Sequence, residues 1–182
     1  MSGKVILVDE QDNPLGVEEK LIAHQQAMLH RAFSIFLFRQ YQHQIEVLMQ
    51  QRHINKYHGG GLWTNTCCSH PQPGESILEA ARRRLQEELG ITTNLVEVGS
   101  FVYKAEVGNG LVEHEFDHVC IGVLDKNIIN IPYNPQEIQH LRWMTLDEVR
   151  VDYHAHLEQY TPWFEQALDI AVNNHHFVSL FK

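Results

Sequence analysis

The stretch GESILEAARRRLQEELGI, residues 74–91, carries the strongest local signal in the chain. Ser76 and Glu79 stand three apart, the spacing at which a hydroxyl and a carboxylate cap a helix start reciprocally. Ile77, Ala81, Leu85 and Leu89 recur every four residues, with Leu78 beside them, so one stripe of the helix is apolar. Gly90 suits the left-handed residue that ends a helix. The segment predicts a helix over 77–89, packed by one face. Taken alone, it is equally an ordinary amphipathic helix with solvated charges.

Working outward, residues 5–8 read as a short strand, 12–16 as a turn and 18–29 as a helix carrying Lys20 and His24. Residues 33–38 and 45–50 read as two strands joined by a polar loop. Residues 58–61 form a Gly-rich turn, and 62–70 run extended to Pro71. Beyond the helix, 95–105 and 111–124 read as strands around a Gly-Asn-Gly turn, and 138–144 as another. Thr145 and Glu148 repeat the capping-box spacing for a short helix. Thr161 and Pro162 open a terminal helix, with Pro at the favoured first position. Strands mixed with a few helices, without regular alternation, predict an α+β fold with a mixed sheet flanked by helices.

Composition bounds the function. The 182 residues suit one folded unit or one with an added subdomain. A net charge of −9 argues against a nucleic-acid partner, which needs a basic face, but permits a small anionic ligand held by a local cluster of cations. The 13 histidines invite a search for metal ligands. Cys67, Cys68 and Cys120 are odd in number and two are adjacent, which does not read as a disulfide framework and suits a reducing compartment. Residues 1–11 lack the basic flank and long apolar run of a signal peptide. No stretch approaches the roughly 18 apolar residues of a membrane span. The expectation is a cytoplasmic protein without a membrane partner, monomeric, with homo-oligomers left open.

Alternation places chemistry. Side chains two apart in an extended segment share a face. Cys68 and His70 then look into one site while Cys67 looks away. Glu113 and Glu115 share a face, with His114 opposite. His24 and His30 lie upstream and can join them only through the fold. His53, His58, His118, His140, His154, His156, His175 and His176 read as surface or filler residues.

The helical stretch resembles the Nudix signature: Glu75, Arg83, Leu85, Glu87, Glu88, Gly90 and Ile91 match it. Ser69 replaces its leading Gly, and Arg84 replaces a Glu that Nudix hydrolases use to hold Mg2+ against a diphosphate. Four further blocks resemble the type I isopentenyl-diphosphate isomerases: residues 63–71 (WTNTCCSHP), 103–105 (YKA), 113–115 (EHE) and 161–164 (TPWF). The resemblance spans about residues 4–165. It implies a Nudix-like α+β fold in a single domain, with an N-terminal extension over about 1–31, a catalytic core over about 32–165, and a C-terminal helix or tail over 166–182. It implies isomerisation of isopentenyl diphosphate to dimethylallyl diphosphate by protonation and deprotonation through a tertiary carbocation-like state.

The resemblance also implies roles. His24, His30, His70, Glu113 and Glu115 would hold one divalent ion, and such a nitrogen and oxygen set suits Mn2+, Mg2+ or Zn2+. Cys68 would carry one proton and Glu115 the other, with Tyr103 as relay. Trp163 would set its indole against the developing cation. Lys20, Arg52, Lys56 and Arg84 would anchor the diphosphate. A second ion, Mg2+, would arrive with the substrate and meet Glu88 and the backbone of Cys68. The rival readings are a Nudix hydrolase of a nucleoside diphosphate compound, which has no need of Cys68, and a catalytically silent Nudix domain that binds metabolites.

Overall fold

Residues 33–38, FSIFLF, are apolar at every position but one, the pattern of a strand covered on both faces. They form the middle of β3 (His30–Tyr41) in a computed structural model that describes residues 3–181 apart from 57, 126 and 129. Around β3 the chain lays down β1 (Lys4–Val8), β2 (Pro14–Glu19), α1 (Lys20–Gln25), β4 (Gln44–Arg52), β5 (Trp63–Thr64) and β6 (Cys67–Ser69). Then follow α2 (Ile77–Leu89), β7 (Leu95–Glu106), β8 (Val112–Val123), β9 (Ile138–Thr145), α3 (Leu146–Ala155), α4 (Phe164–Val172) and α5 (His175–Leu180). One mixed sheet results. β3 is antiparallel to β1, β6 and β4 along one side and parallel to β8 along the other. β7 extends the sheet beyond β8, and β9 pairs with β4.

The two faces of β3 build two cores. Phe33, Ile35 and Leu37 pack with Ala81, Leu85 and Leu89 of α2, and Cys67 and Cys120 lie in the same cluster. Phe36 and Phe38 pack on the other face with Val119, Ile121, Phe164 and Leu168. Each fully buried side chain of this size contributes about 1.5–3 kcal/mol of transfer free energy. The sheet is thus held between α2 and the C-terminal helices, as expected for α+β.

α2 begins and ends where its caps dictate. Ser76 and Glu79 form the reciprocal capping box, and Gly90 has φ +66°. A Cβ at Gly90 would lie 2.9 Å from Pro132 Cγ, so the left-handed turn is also sterically reserved for glycine. Glu88 is buried on the helix's core face, an unusual place for a carboxylate.

Three expected elements need correction. The helix expected over 18–29 covers only Lys20–Gln25, because residues 14–19 pair with β1 and Ala27, at φ +51°, turns the chain toward β3. The turn expected over 12–16 lies earlier, where the Asp9 carboxylate accepts from the Gln11 and Asn13 amides, and the strand resumes at Pro14. The terminal helix starts at Phe164 rather than at Thr161, because the buried Thr161 donates its amide to Trp63 O and its hydroxyl meets that of Thr64. Residues 166–181 hold the rest of α4 and then α5, capped by Asn174.

Candidate active site and metal centre

On β8, residues 113, 115, 117, 119 and 121 share one face by alternation. The first three are acidic and the last two lie in the α4-side core. On β3 the same happens with His30, Ser34, Phe36 and Phe38. Parallel pairing sets His30 opposite Glu115, so the polar ends of both strands lie side by side. β7 adds Tyr103 opposite Glu115. The Tyr103 hydroxyl lies 2.6 Å from Glu113 Oε2 and 2.5 Å from Glu115 Oε2, bridging two buried carboxylates. Deeper, the Ser34 hydroxyl donates to Asp117 Oδ2 at 2.7 Å. Burial, followed by the nearby Glu115, pushes the Asp117 carboxyl well above the usual carboxylate range.

Three imidazoles close over this floor. His24 comes from α1, His30 from the start of β3 and His70 from just after β6. The Nδ1 of His24 lies 2.6 Å from Lys20 O, and that of His30 2.8 Å from Met28 O. A carbonyl can only accept, so each Nδ1 carries a proton that points outward, and each ring turns its Nε2 into the site. His70 Nε2 lies 2.8 Å from Glu115 Oε1 and 3.2 Å from His30 Nε2. Burial lowers the His24 pKa to about 4 and that of His70 well below the usual value, so both rings are neutral at pH 7. Burial works to raise the Glu115 pKa, but its contacts with His30 and His70 outweigh that and hold it well below the ordinary range.

One ligand atom from each of His24, His30, His70 and Glu115 lies within 4.8 Å of the others, and His24, His58 and Glu113 form an interlocking second group. Inward lone pairs beside carboxylates that crowd one hydroxyl are the donor set a divalent cation requires. Of the five expected metal residues, His24, His30, His70 and Glu115 gather in the first group and fit such an ion, whereas Glu113 lies in the second with His24 and His58. His24 is common to both groups, with its Nε2 4.0 Å from Glu113 Oε1.

Beside the metal groups lies a narrow cavity of about 60 Å³, lined by Cys68, Trp163, Glu113 and Glu115 and by Lys20, Arg52, Lys56 and Arg84. All four expected anchoring cations thus meet at one place in an acidic chain. A wider space of about 390 Å³ adjoins it and shares Lys20, Lys56, Ser69, His70 and Arg84. Burial pushes the Cys68 thiol up to about 12 despite Arg52, whose Nη1 lies 3.5 Å from Sγ, so the thiol holds its proton at neutral pH. The Trp163 indole donates to Asn65 Oδ1 at 3.1 Å, and Asn65 in turn donates to Cys67 O at 2.7 Å. That chain of bonds fixes the indole in the cavity wall.

The NUDIX domain family profile matches residues 28–164. Isopentenyl-diphosphate Delta-isomerase 2 of Aromatoleum aromaticum is 46% identical over 173 residues, covering 95% of this chain and 88% of that one. The isopentenyl-diphosphate Delta-isomerase of Photobacterium profundum is 45% identical, covering 93% of this chain and 94% of that one. The chain belongs to the type I isopentenyl-diphosphate isomerases. The fold is shared more widely: the Deinococcus radiodurans protein DR0079 superposes with a TM-score of 0.71 at 19% identity, covering 92% of this chain and 97% of that one.

Two residues of the isomerase site, His58 and Glu137, escaped the sequence. His58, read as filler, is buried with Nδ1 2.8 Å from Glu113 Oε1. Its nearness to Lys56 in the chain was the available signal. Glu137 pairs with Lys56 and lies 3.7 Å from Arg84 Nη2, so a carboxylate already bridges two of the anchoring cations. Glu88 is engaged as well, by Arg84 and by Gln50 Nε2 at 3.0 Å.

Proposed function

We propose that this isomerase interconverts isopentenyl and dimethylallyl diphosphate, with Cys68 and Glu115 as the two proton carriers. One observation carries the reading: a thiol that keeps its proton and an ionised carboxylate line one cavity with four cations. An alkene is a weak base, so the reaction needs a donor on one carbon and an acceptor on another. A proton added at C4 leaves a tertiary cation at C3, and loss of a proton from C2 restores a double bond between C2 and C3. Environments that push two carriers' pKa values apart equip them for these opposite tasks. Tyr103, hydrogen-bonded to Glu115, passes that proton onward. The Trp163 π-face stabilises the cation by about 0.5–2 kcal/mol.

Lys20, Arg52, Lys56 and Arg84 anchor the diphosphate, Arg by bidentate contact and Lys as a point charge. Arg84 would exchange Glu88 for the diphosphate, and Glu88 with the Cys68 backbone would then hold a Mg2+ bound with the substrate. His24, His30, His70, Glu113 and Glu115 hold the resident divalent ion, be it Mn2+, Mg2+ or Zn2+. When bound, that ion supplies positive charge that fixes the orientation and protonation of Glu115. The chain works in the cytoplasm, a reading supported by its free cysteines.

Incubation with isopentenyl diphosphate in heavy water tests this. Deuterium should enter dimethylallyl diphosphate at carbon. No dimethylallyl diphosphate, together with steady release of nucleoside monophosphate from nucleoside diphosphate compounds, would favour the hydrolase reading. Arg84 in place of a metal-holding carboxylate argues against hydrolysis.

A further inference from the structure

Arg52 is buried at the end of β4, and the chain wraps around its guanidinium. Nε donates to Gly59 O at 3.1 Å and Nη2 to His58 O at 3.2 Å. The backbone closes the same loop, with Arg52 N to Leu62 O at 2.9 Å and Gly61 N to Arg52 O at 3.0 Å. The loop is too tight for side chains at its tip: a Cβ on Gly60 would lie 2.3 Å from Ile54 O. Its glycines therefore serve to bring one side chain inward. That side chain is His58, 5% exposed.

We propose that His58 is a positioning residue of the metal centre, which it serves by orienting Glu113. The inference rests on the reading of His24, His30, His70, Glu113 and Glu115 as that centre. His58 Nδ1 meets Glu113 Oε1 at 2.8 Å while Tyr103 meets Oε2 at 2.6 Å, so the carboxylate is gripped at both oxygens. A glutamate has three side-chain torsions, and two such contacts select one orientation before an ion binds. His58 also stacks on His24, with ring centroids 5.4 Å apart and planes at 26°. It thereby holds a second ligand's ring in place. Arg52 gains a second task in this scheme: the side chain expected at the diphosphate also fixes the loop that carries His58.

The test uses the full chain, stripped with a chelator and titrated with Mn2+ alone, alongside steady-state kinetics. His58→Ala should weaken Mn2+ binding by about 10–100-fold, the usual cost of removing a ligand's supporting partner. His58→Phe keeps the ring bulk without the nitrogen and should weaken binding to the same degree, which guards against misfolding of the alanine variant. His58→Asn places an amide nitrogen near the Nδ1 position and should restore most of the affinity. His24→Ala is the reference for the centre itself. If His24→Ala leaves Mn2+ affinity unchanged, the metal-centre reading fails and this inference with it. If His24→Ala abolishes binding while His58→Phe binds like the parent, only the His58 assignment is overturned. If His58→Asn is as weak as His58→Phe, His58 ligates directly and the positioning role is wrong.

Discussion

Cys67 and Cys68 are neighbours that face opposite sides of β6. Cys67 is fully buried among Leu85, Leu89 and Ile35, and its thiol is pushed far above the usual range by burial. Cys68 lines the cavity beside Arg52. Cys68→Ala should lower turnover by at least the roughly 10²–10⁴-fold typical of losing an acid or base, with the fold intact by circular dichroism. Cys67→Ala should keep much of the activity and lose some stability to a small cavity. Equal losses of turnover would overturn the assignment. Glu115→Gln retains an oxygen ligand but cannot cycle a proton, so bound metal should fall far less than rate. A fully metallated variant with near-normal turnover would leave Glu115 as a ligand only. The period of two made the inward cysteine legible in the sequence. It could not reach His58, whose inward turn depends on Arg52 threading the loop.

α2 was readable to the residue because everything that bounds it is local. The Ser76 and Glu79 cap spans three residues, and Gly90 supplies its own left-handed turn. Gly90→Ala should cost about 1–2 kcal/mol from the φ alone, with the Pro132 contact adding to it, measured as a lower denaturation midpoint at unchanged m-value. Glu75 ties the preceding loop to the helix through a two-pronged contact with Arg83, at 2.7 Å and 2.8 Å. Arg83 holds the Glu75 carboxyl below its ordinary value. A depressed acid stabilises the fold above its unfolded pKa and ceases to do so as pH falls through the folded one. Glu75→Gln should therefore cost up to about 1 kcal/mol at pH 7 and nothing once the medium is well below pH 4. A penalty independent of pH would show that packing, not charge, is at work. α1 was misjudged by contrast, because pairing of residues 14–19 with β1 is a long-range event that overrides local helix preference.

The metal centre draws on four separate parts of the chain: α1, the start of β3, the segment after β6, and β8. An ion that binds only the folded state stabilises it by mass action, about 2.7 kcal/mol at a hundredfold excess over Kd. Chelation should thus lower Tm by several degrees, and His24→Ala should show little difference with and without chelator. An unchanged Tm in the parent protein would mean that the gathered ligands hold no ion. The cavity is small beside the 300–1,000 Å³ typical of ligand pockets, and Glu137 engages two of its four cations, Lys56 and Arg84. In the proposed reaction, substrate entry requires Lys56 and Arg84 to exchange that carboxylate for diphosphate.

Periodicity, caps and turn residues determined from the sequence alone that this chain folds as strands around an α2-type helix, and which side chains within each element share a face. Those rules act over two to four neighbours. The order of motif blocks carried the family resemblance, and with it the expected ligands. Their assembly waited on the three-dimensional arrangement. His70 and Glu115 are 45 residues apart in the chain, and His30 meets Glu115 through the parallel register of β3 and β8, which no local pattern encodes. His58 and Glu137 became visible as site residues only there, because burial and the partner across a gap are properties of the packed chain.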